Sequence, residues 1–107
     1  MPSKTNRSSE HDIAHAVMKY LRTIPSKSAD TSAIKKHVPN FIKLADADKE
    51  PSETRNNEQV WQQVVGNIVS HRNDSPENYI NRGLLEYDGQ QIKLTPSGEK
   101  HLDKLNA

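Results

Sequence analysis

An α+β domain with a three-helix core, a two-stranded antiparallel hairpin and a closing helix is the fold class that this 107-residue sequence predicts. Three observations predict it. Apolar residues recur at helical spacing over residues 13–24 and again over residues 60–69. Asp88-Gly89, a strong two-residue turn signal, separates two short runs with the makings of strands. Thr95-Pro96 then opens one more helical pattern, reaching Leu105.

Residues 1–8 are polar and aperiodic, and a disordered tail is expected there. A single domain should occupy residues 9–107. The first helix should start near Ser9, with Asp12 three residues on as its capping partner. Ile13, Ala16, Val17, Tyr20, Leu21 and Ile24 then form one buried face, and Pro25 stops the helix. The stretch SKSADTS reads as a turn. Asp30 or Thr31 caps a second helix running to about Val38, with Ile34 and Val38 inward, and Pro39 ends it. Phe41, Ile42 and Leu44 add core from an irregular segment. Residues 45–57 are expected to form a long polar loop, with room for one helical turn in ADADKE.

The third helix is expected over residues 56–71. At 100° per residue, Val60, Trp61, Val64, Val65, Ile68 and Val69 fall on one side. Arg55, Gln59, Gln62, Gln63, Gly66, Asn67 and Ser70 fall on the other, with Asn56 at the helix start. Such a face is unusual because it is polar yet almost uncharged. Ser75-Pro76 predicts a short helix that Gly83 closes in the left-handed conformation. With Asp88-Gly89 as the turn, Leu85 pairs with Ile92 and Tyr87 with Gln90, which puts Leu85, Ile92 and Leu94 on one face. His101, Leu102 and Leu105 mark the inner side of the last helix.

Composition narrows the function. Hydrophobic residues make up 32% of the chain, below the roughly 45–50% of typical domains, so the core must be thin. There is no cysteine, hence no disulfide framework and no thiolate metal site, which fits a reducing compartment. No apolar run approaches the roughly 20 residues of a membrane helix, and residues 1–10 lack the apolar stretch of a secretory signal. A soluble, cytoplasmic protein is expected. Net charge is only +1, but it is divided unevenly. Residues 1–44 carry eight Lys or Arg against three acids, and residues 45–107 carry seven against eleven. Opposed halves of this kind can orient a molecule on a polyanion.

A lone hairpin needs a helical layer beneath it, and three helices topped by a hairpin is the winged helix-turn-helix arrangement. The stretch GLLEYDGQQIKLTPSGEKHL resembles the hairpin and following helix of many winged-helix domains, with Gly83, Leu84, Leu85, Leu94, Thr95 and Gly98 on their pattern. Taken with NEQVWQQVVGNIVSHR, it is similar to the N-terminal domain of Mrr-type restriction systems and related small prokaryotic or phage proteins, over residues 10–105. Two features depart from that pattern. The segment between the second and third helices is long, and neither a nuclease domain nor a Glu-x-Lys triplet is present. The resemblance implies a reader of DNA without a cutter.

On that reading the third helix enters the major groove of double-stranded DNA. Asn and Gln amides can pair with adenine, and Gly66 lets the helix axis approach. Gln63 and Asn67, side by side at i, i+4, are the leading base-contact residues. Arg55 and Arg72 at the helix ends and Lys35 and Lys36 on the second helix would hold phosphates. Gln90, Gln91 and Lys93 of the hairpin would flank, while Asp88 and Glu86 would repel phosphate. The expected role is a small regulator, or the recognition module of a restriction-type system. A protein–protein adaptor is the alternative, binding a partner protein or a second copy through the 46–58 loop or the polar face. A third reading is a domain of a larger nuclease.

Catalytic readings find no support. His11-Asp12-Ile13-Ala14-His15 resembles the zinc motif H-E-x-x-H, but it lacks a third ligand nearby and its Asp is a methylene short. Asp46-Ala-Asp48 lacks the glycine of a calcium loop, which falls on Pro51. Neither a Ser-His-Asp arrangement nor a phosphate loop can be argued. No enzyme activity, metal or cofactor is expected.

Overall fold

In the computed structural model, α1 (Glu10–Arg22) is the element around which the others gather. The structure describes residues 9–52 and 57–106. The expected tail, Arg55 and Asn56 lie outside the described residues, as does the Leu105 side chain. Ser9 and Asp12 form the expected capping box on α1, each side chain meeting the other's backbone N–H at 3.0 Å. Its buried stripe is wider than the spacing suggested, because Ala14 and Met18 join Ile13, Ala16, Val17 and Leu21. This stripe packs against α2 (Thr31–His37), α3 (Val60–Ser70), α4 (Pro96–Asn106) and the sheet.

The sheet has three strands rather than two. SKSADTS is not a plain turn, since β1 (Ser28–Asp30) pairs antiparallel with β3 (Gln91–Leu94), which also pairs with β2 (Leu85–Tyr87). The order is β1-β3-β2. Nothing in Ser28, Ala29 or Asp30 favours a strand, and only Ala29 reaches the core. Backbone pairing to β3 makes this strand. Lys27 enters it with φ 61°, a left-handed residue whose Nζ donates to Arg22 O at the end of α1.

The hairpin register differs from the expected one by two residues. Leu85 faces Leu94 and Tyr87 faces Ile92. Gly89-Gln90, not Asp88-Gly89, forms the turn, with Gly89 at φ 98°. The Asp88 carboxylate accepts from the N–H groups of Gln90 and Gln91 at 2.9 and 2.7 Å, so Asp88 organises the turn from one position before it. A slip of two preserves the faces, and Leu85, Ile92 and Leu94 are all buried.

Two further expectations are corrected. The third helix starts at Val60, not near Asn56. Residues 45–52 fold back on its start: Glu50 O accepts from Val60 N–H, Ser52 N–H donates to Glu58 O, and Pro51 bridges Gln59. This arm contains a 3-10 turn, Asp46–Lys49, with Ala47 and Asp48 buried, so its described part is no loose loop. The short helix after Ser75 is a series of turns. Asn78, 1% exposed, takes the N–H groups of Ile80 and Asn81 on its side-chain oxygen and gives its amide to Ile68 O, displacing the helical pattern. Gly83 is left-handed as expected, at φ 80°.

The residues at the start of α4 have physical reasons to be there. Thr95 Oγ1 accepts from Gly98 N–H at 3.0 Å and lies 2.7 Å from Gly83 O, to which it donates. At Gly98 a Cβ would collide with the Leu84 carbonyl and lie 2.6 Å from Leu94 Cδ1.

Beside α4, Tyr79 is surrounded by basic groups. Its hydroxyl is 2.7 Å from His11 Nδ1, His101 meets its ring edge-on, and Arg82 lies 5.2 Å over it. His15 Nε2 and His101 Nε2 are buried with no hydrogen-bond partner among the described residues. Burial first, then Lys19, His11 and His101, holds His15 below its ordinary pKa of 6.5, with Asp12 opposing. Burial, Arg82, His11 and Lys104 do the same for His101.

Two outcomes are expected. The unfolded chain binds protons on His15 and His101 more readily than the folded one. Their contribution is therefore complete above pH 6.5 and lost as pH falls through the lowered folded values. The urea midpoint should fall on the acid side of pH 6.5, and a His15→Gln, His101→Gln double variant should show a shallower fall. Gly98→Ala should destabilise by about 1–3 kcal/mol in thermal or urea melts, despite the roughly 1 kcal/mol helix advantage of Ala.

Candidate functional site

Trp61, Val65 and Ile68 are buried against α1, which fixes which way α3 faces. Gln59, Gln63 and Asn67 then form an outward row at i, i+4, i+8, with Gly66 and Ser70 beside it and Gln62 on the flank. Ser70 is exposed, and Gln62, Gln63, Gly66 and Asn67 are half-buried. Gln59 is exposed too, but it precedes the helix as its N-cap instead of lying within it.

Three of these amides are tied to the protein itself. Gln59 Oε1 accepts from Trp61 Nε1–H at 2.8 Å. Gln62 Oε1 accepts from the Gln59 backbone N–H at 2.8 Å, satisfying an N–H at the helix start. Gln63 Oε1 accepts from Ser52 Oγ of the arm at 2.6 Å. The Asn67 side chain makes no hydrogen bond among the described residues.

The expected phosphate contacts divide. Lys35 is not free: its ammonium lies 2.6 Å from Glu58, with both side chains about one-fifth exposed. Arg72 is not free either. It donates to Val69 O at 2.7 Å, closing the end of α3, and its guanidinium lies 5.2 Å over the Tyr87 ring. Arg72 thereby joins the end of α3 to β2, while Asn81 donates to its carbonyl. Lys36 is exposed near the end of α2. Lys93 is exposed on the outer face of β3, opposite Glu86 and Ser28.

At the hairpin, Gln90 and Gln91 are exposed, and Gln91 Oε1 accepts from Ser28 Oγ at 3.1 Å. Backbone N–H groups of Gln91 and then Gln90 hold the Asp88 carboxyl below the usual carboxylate range, so the tip stays anionic well into acid. Any anion approaching the hairpin meets Gln90, Gln91 and Lys93 beside that fixed charge.

Ser52, Glu58 and Tyr87 hold the site yet were not evident in the sequence. Only the opposite charges of Lys35 and Glu58 could have hinted at their pairing, and 22 intervening residues hide it. Away from this face, a cleft of about 590 Å³ opens between the start of α1 and the turns after α3, lined by Ser9, Glu10, His11, His71, Tyr79 and Arg82 among others. Glu10 and His71 meet across it at 3.2 Å. Asp12 caps α1, and among the described residues no three His, Cys, Asp or Glu are grouped to hold a metal ion. Nor is any helix among them long and apolar enough to cross a membrane.

Compared with protein-family models, with curated proteins and with solved structures, the chain matches none.

The Arg72 geometry has an energetic consequence. Arg72→Ala should lower stability by about 1–2 kcal/mol in urea melts, through the lost carbonyl hydrogen bond and ring contact. Arg72→Lys should recover only a minor part, because an ammonium lacks the planar fork that spans both contacts.

Proposed function

We propose that this domain binds double-stranded DNA as a winged helix-turn-helix module, with α3 in the major groove and the β2–β3 hairpin as the flanking wing. The observation that carries the reading is the outward face of α3. It is polar but uncharged, it centres on Gln63, Gly66, Asn67 and Ser70, and its opposite face is consumed by the core. Uncharged amides are poor at steering and good at reading base edges. The succession helix, strand, helix, helix, hairpin supports the same reading, since it puts α2 before α3 and the hairpin after it. Of the cations expected to hold phosphate, Lys36 and Lys93 are exposed. The action is reversible binding with no chemical step. It suits a small regulator or the recognition part of a restriction-type system.

One observation favours a second reading, a protein–protein adaptor. Lys35 and Arg72 are engaged internally, and net charge is only +1, so the electrostatic pull on DNA is weak. The two readings separate on a heparin or duplex-DNA column: a DNA binder is retained at low salt and elutes as salt rises, and an adaptor flows through.

Asn67→Ala is the sharper test. It should weaken binding to a preferred duplex by about 1–3 kcal/mol, as for loss of a base contact, with little change in melting temperature. Early melting with unaltered affinity would assign the amide to the fold instead.

A further inference from the structure

Gln59, Gln62 and Gln63 share one property: each already uses its side-chain oxygen within the chain. For two of them chemistry forces the assignment. An indole N–H and a backbone N–H can only donate, so the Gln59 and Gln62 atoms that meet them must be oxygens. For Gln63 the Ser52 hydroxyl donates at 2.6 Å to Oε1. What these side chains can offer a partner is the other half of each amide, the NH2 group. Among the described residues none of the three NH2 groups has an acceptor.

This changes what the face can read. An amide recognises adenine by donating to N7 while accepting from the N6 amine, which needs both of its ends free. Guanine presents two adjacent acceptors, N7 and O6, on its major-groove edge. A row of donors finds two adjacent acceptors on guanine, whereas on an A·T pair it can meet adenine N7 and thymine O4 but faces the N6 amine between them donor against donor. Only Asn67 keeps both ends of its amide.

We infer that the first turns of α3, with the residue that caps them, present a hydrogen-bond donor array, built from Gln59 and Gln63 with Gln62 on the flank, that selects guanine over adenine in the major groove. This inference rests on the DNA-binding reading above and sharpens it. It replaces the adenine pairing expected of Gln63, and it makes Ser52 and Trp61 positioning residues, since they act by occupying the glutamine oxygens.

The test uses the full chain and two duplexes of equal length, one rich in guanine on one strand and one of A·T pairs only, with affinity read by fluorescence anisotropy. The guanine-rich duplex should bind about tenfold more tightly, the discrimination of one good base contact, and replacing its guanines with 7-deazaguanine should remove most of that advantage. Gln59→Glu and Gln63→Glu keep the oxygens that Trp61 and Ser52 need and delete the outward donors. Both should keep their melting temperature while the ratio between duplexes falls towards one. The added negative charge weakens both duplexes alike, but the carboxylate can also accept from cytosine N4 or adenine N6, so the Glu variants are read together with a variant that adds no charge. Ser52→Ala supplies an independent arm: with Oε1 of Gln63 released, adenine becomes readable and the ratio should also fall. Binding with no guanine preference, or a preference that survives both Glu variants, overturns the donor array and leaves the DNA reading standing. Failure to bind either duplex at low salt overturns both.

Discussion

The enclosure of α1 is the constraint on which the other elements depend. Ile13, Val17, Met18 and Leu21 are fully buried, and the helix that carries them packs against the three other α-helices and the sheet. Each such side chain is worth about 1.5–3 kcal/mol on burial. Hydrophobic residues are only 32% of the chain, and the buried ones among the described residues gather in one core cluster. The orientation of α3 follows directly. Trp61, Val65 and Ile68 must meet α1, so the amide row has to face away from it. The polar face is thus a by-product of packing geometry as well as a surface.

A thin core leaves specificity of structure to polar contacts, and these recur with one design. A short side chain bonds to backbone groups of a neighbouring segment: Ser9 on α1, Asp30 on α2, Asn78 beneath α3, Asp88 in the hairpin and Thr95 before α4. The buried bond that Asn78 donates to Ile68 O, the two backbone N–H groups its side-chain oxygen accepts, and the close approach of Leu84 to Gly98 leave little room for adjustment. The same habit reaches the candidate site, where Lys35, Arg72 and three glutamines are each held by their own chain. Ionic ties such as Arg22–Asp103, more than a third exposed on both sides, add little by comparison.

Much of this was legible in the sequence where one residue acts on its near neighbours. The Ser9–Asp12 box, the Asp30 cap, the apolar faces of α1 and α3, and left-handed Gly83 depend on local spacing, and local spacing is what a sequence displays. What failed depended on distant partners. Ser28–Asp30 becomes a strand only because β3 lies beside it. The start of α3 moves to Val60 because an arm from residues 45–52 claims the preceding backbone. The hairpin turn moved by one position because Asp88 serves as the turn's acceptor and not as a turn residue. At the site, the row Gln59, Gln63, Asn67 was visible from periodicity alone. The fate of the amide oxygens was not, since Ser52 lies outside the helix and the Trp61 indole could have pointed anywhere in the core.

The strand order β1-β3-β2 leaves both outer strands three residues long. So short a rim is a poor template for a foreign strand, and β1 ends on a charged aspartate that also begins a helix. Growth of the sheet from copy to copy is therefore discouraged by the architecture itself. The central strand, flanked on both sides, is spared the risk of becoming the seed of a fibre.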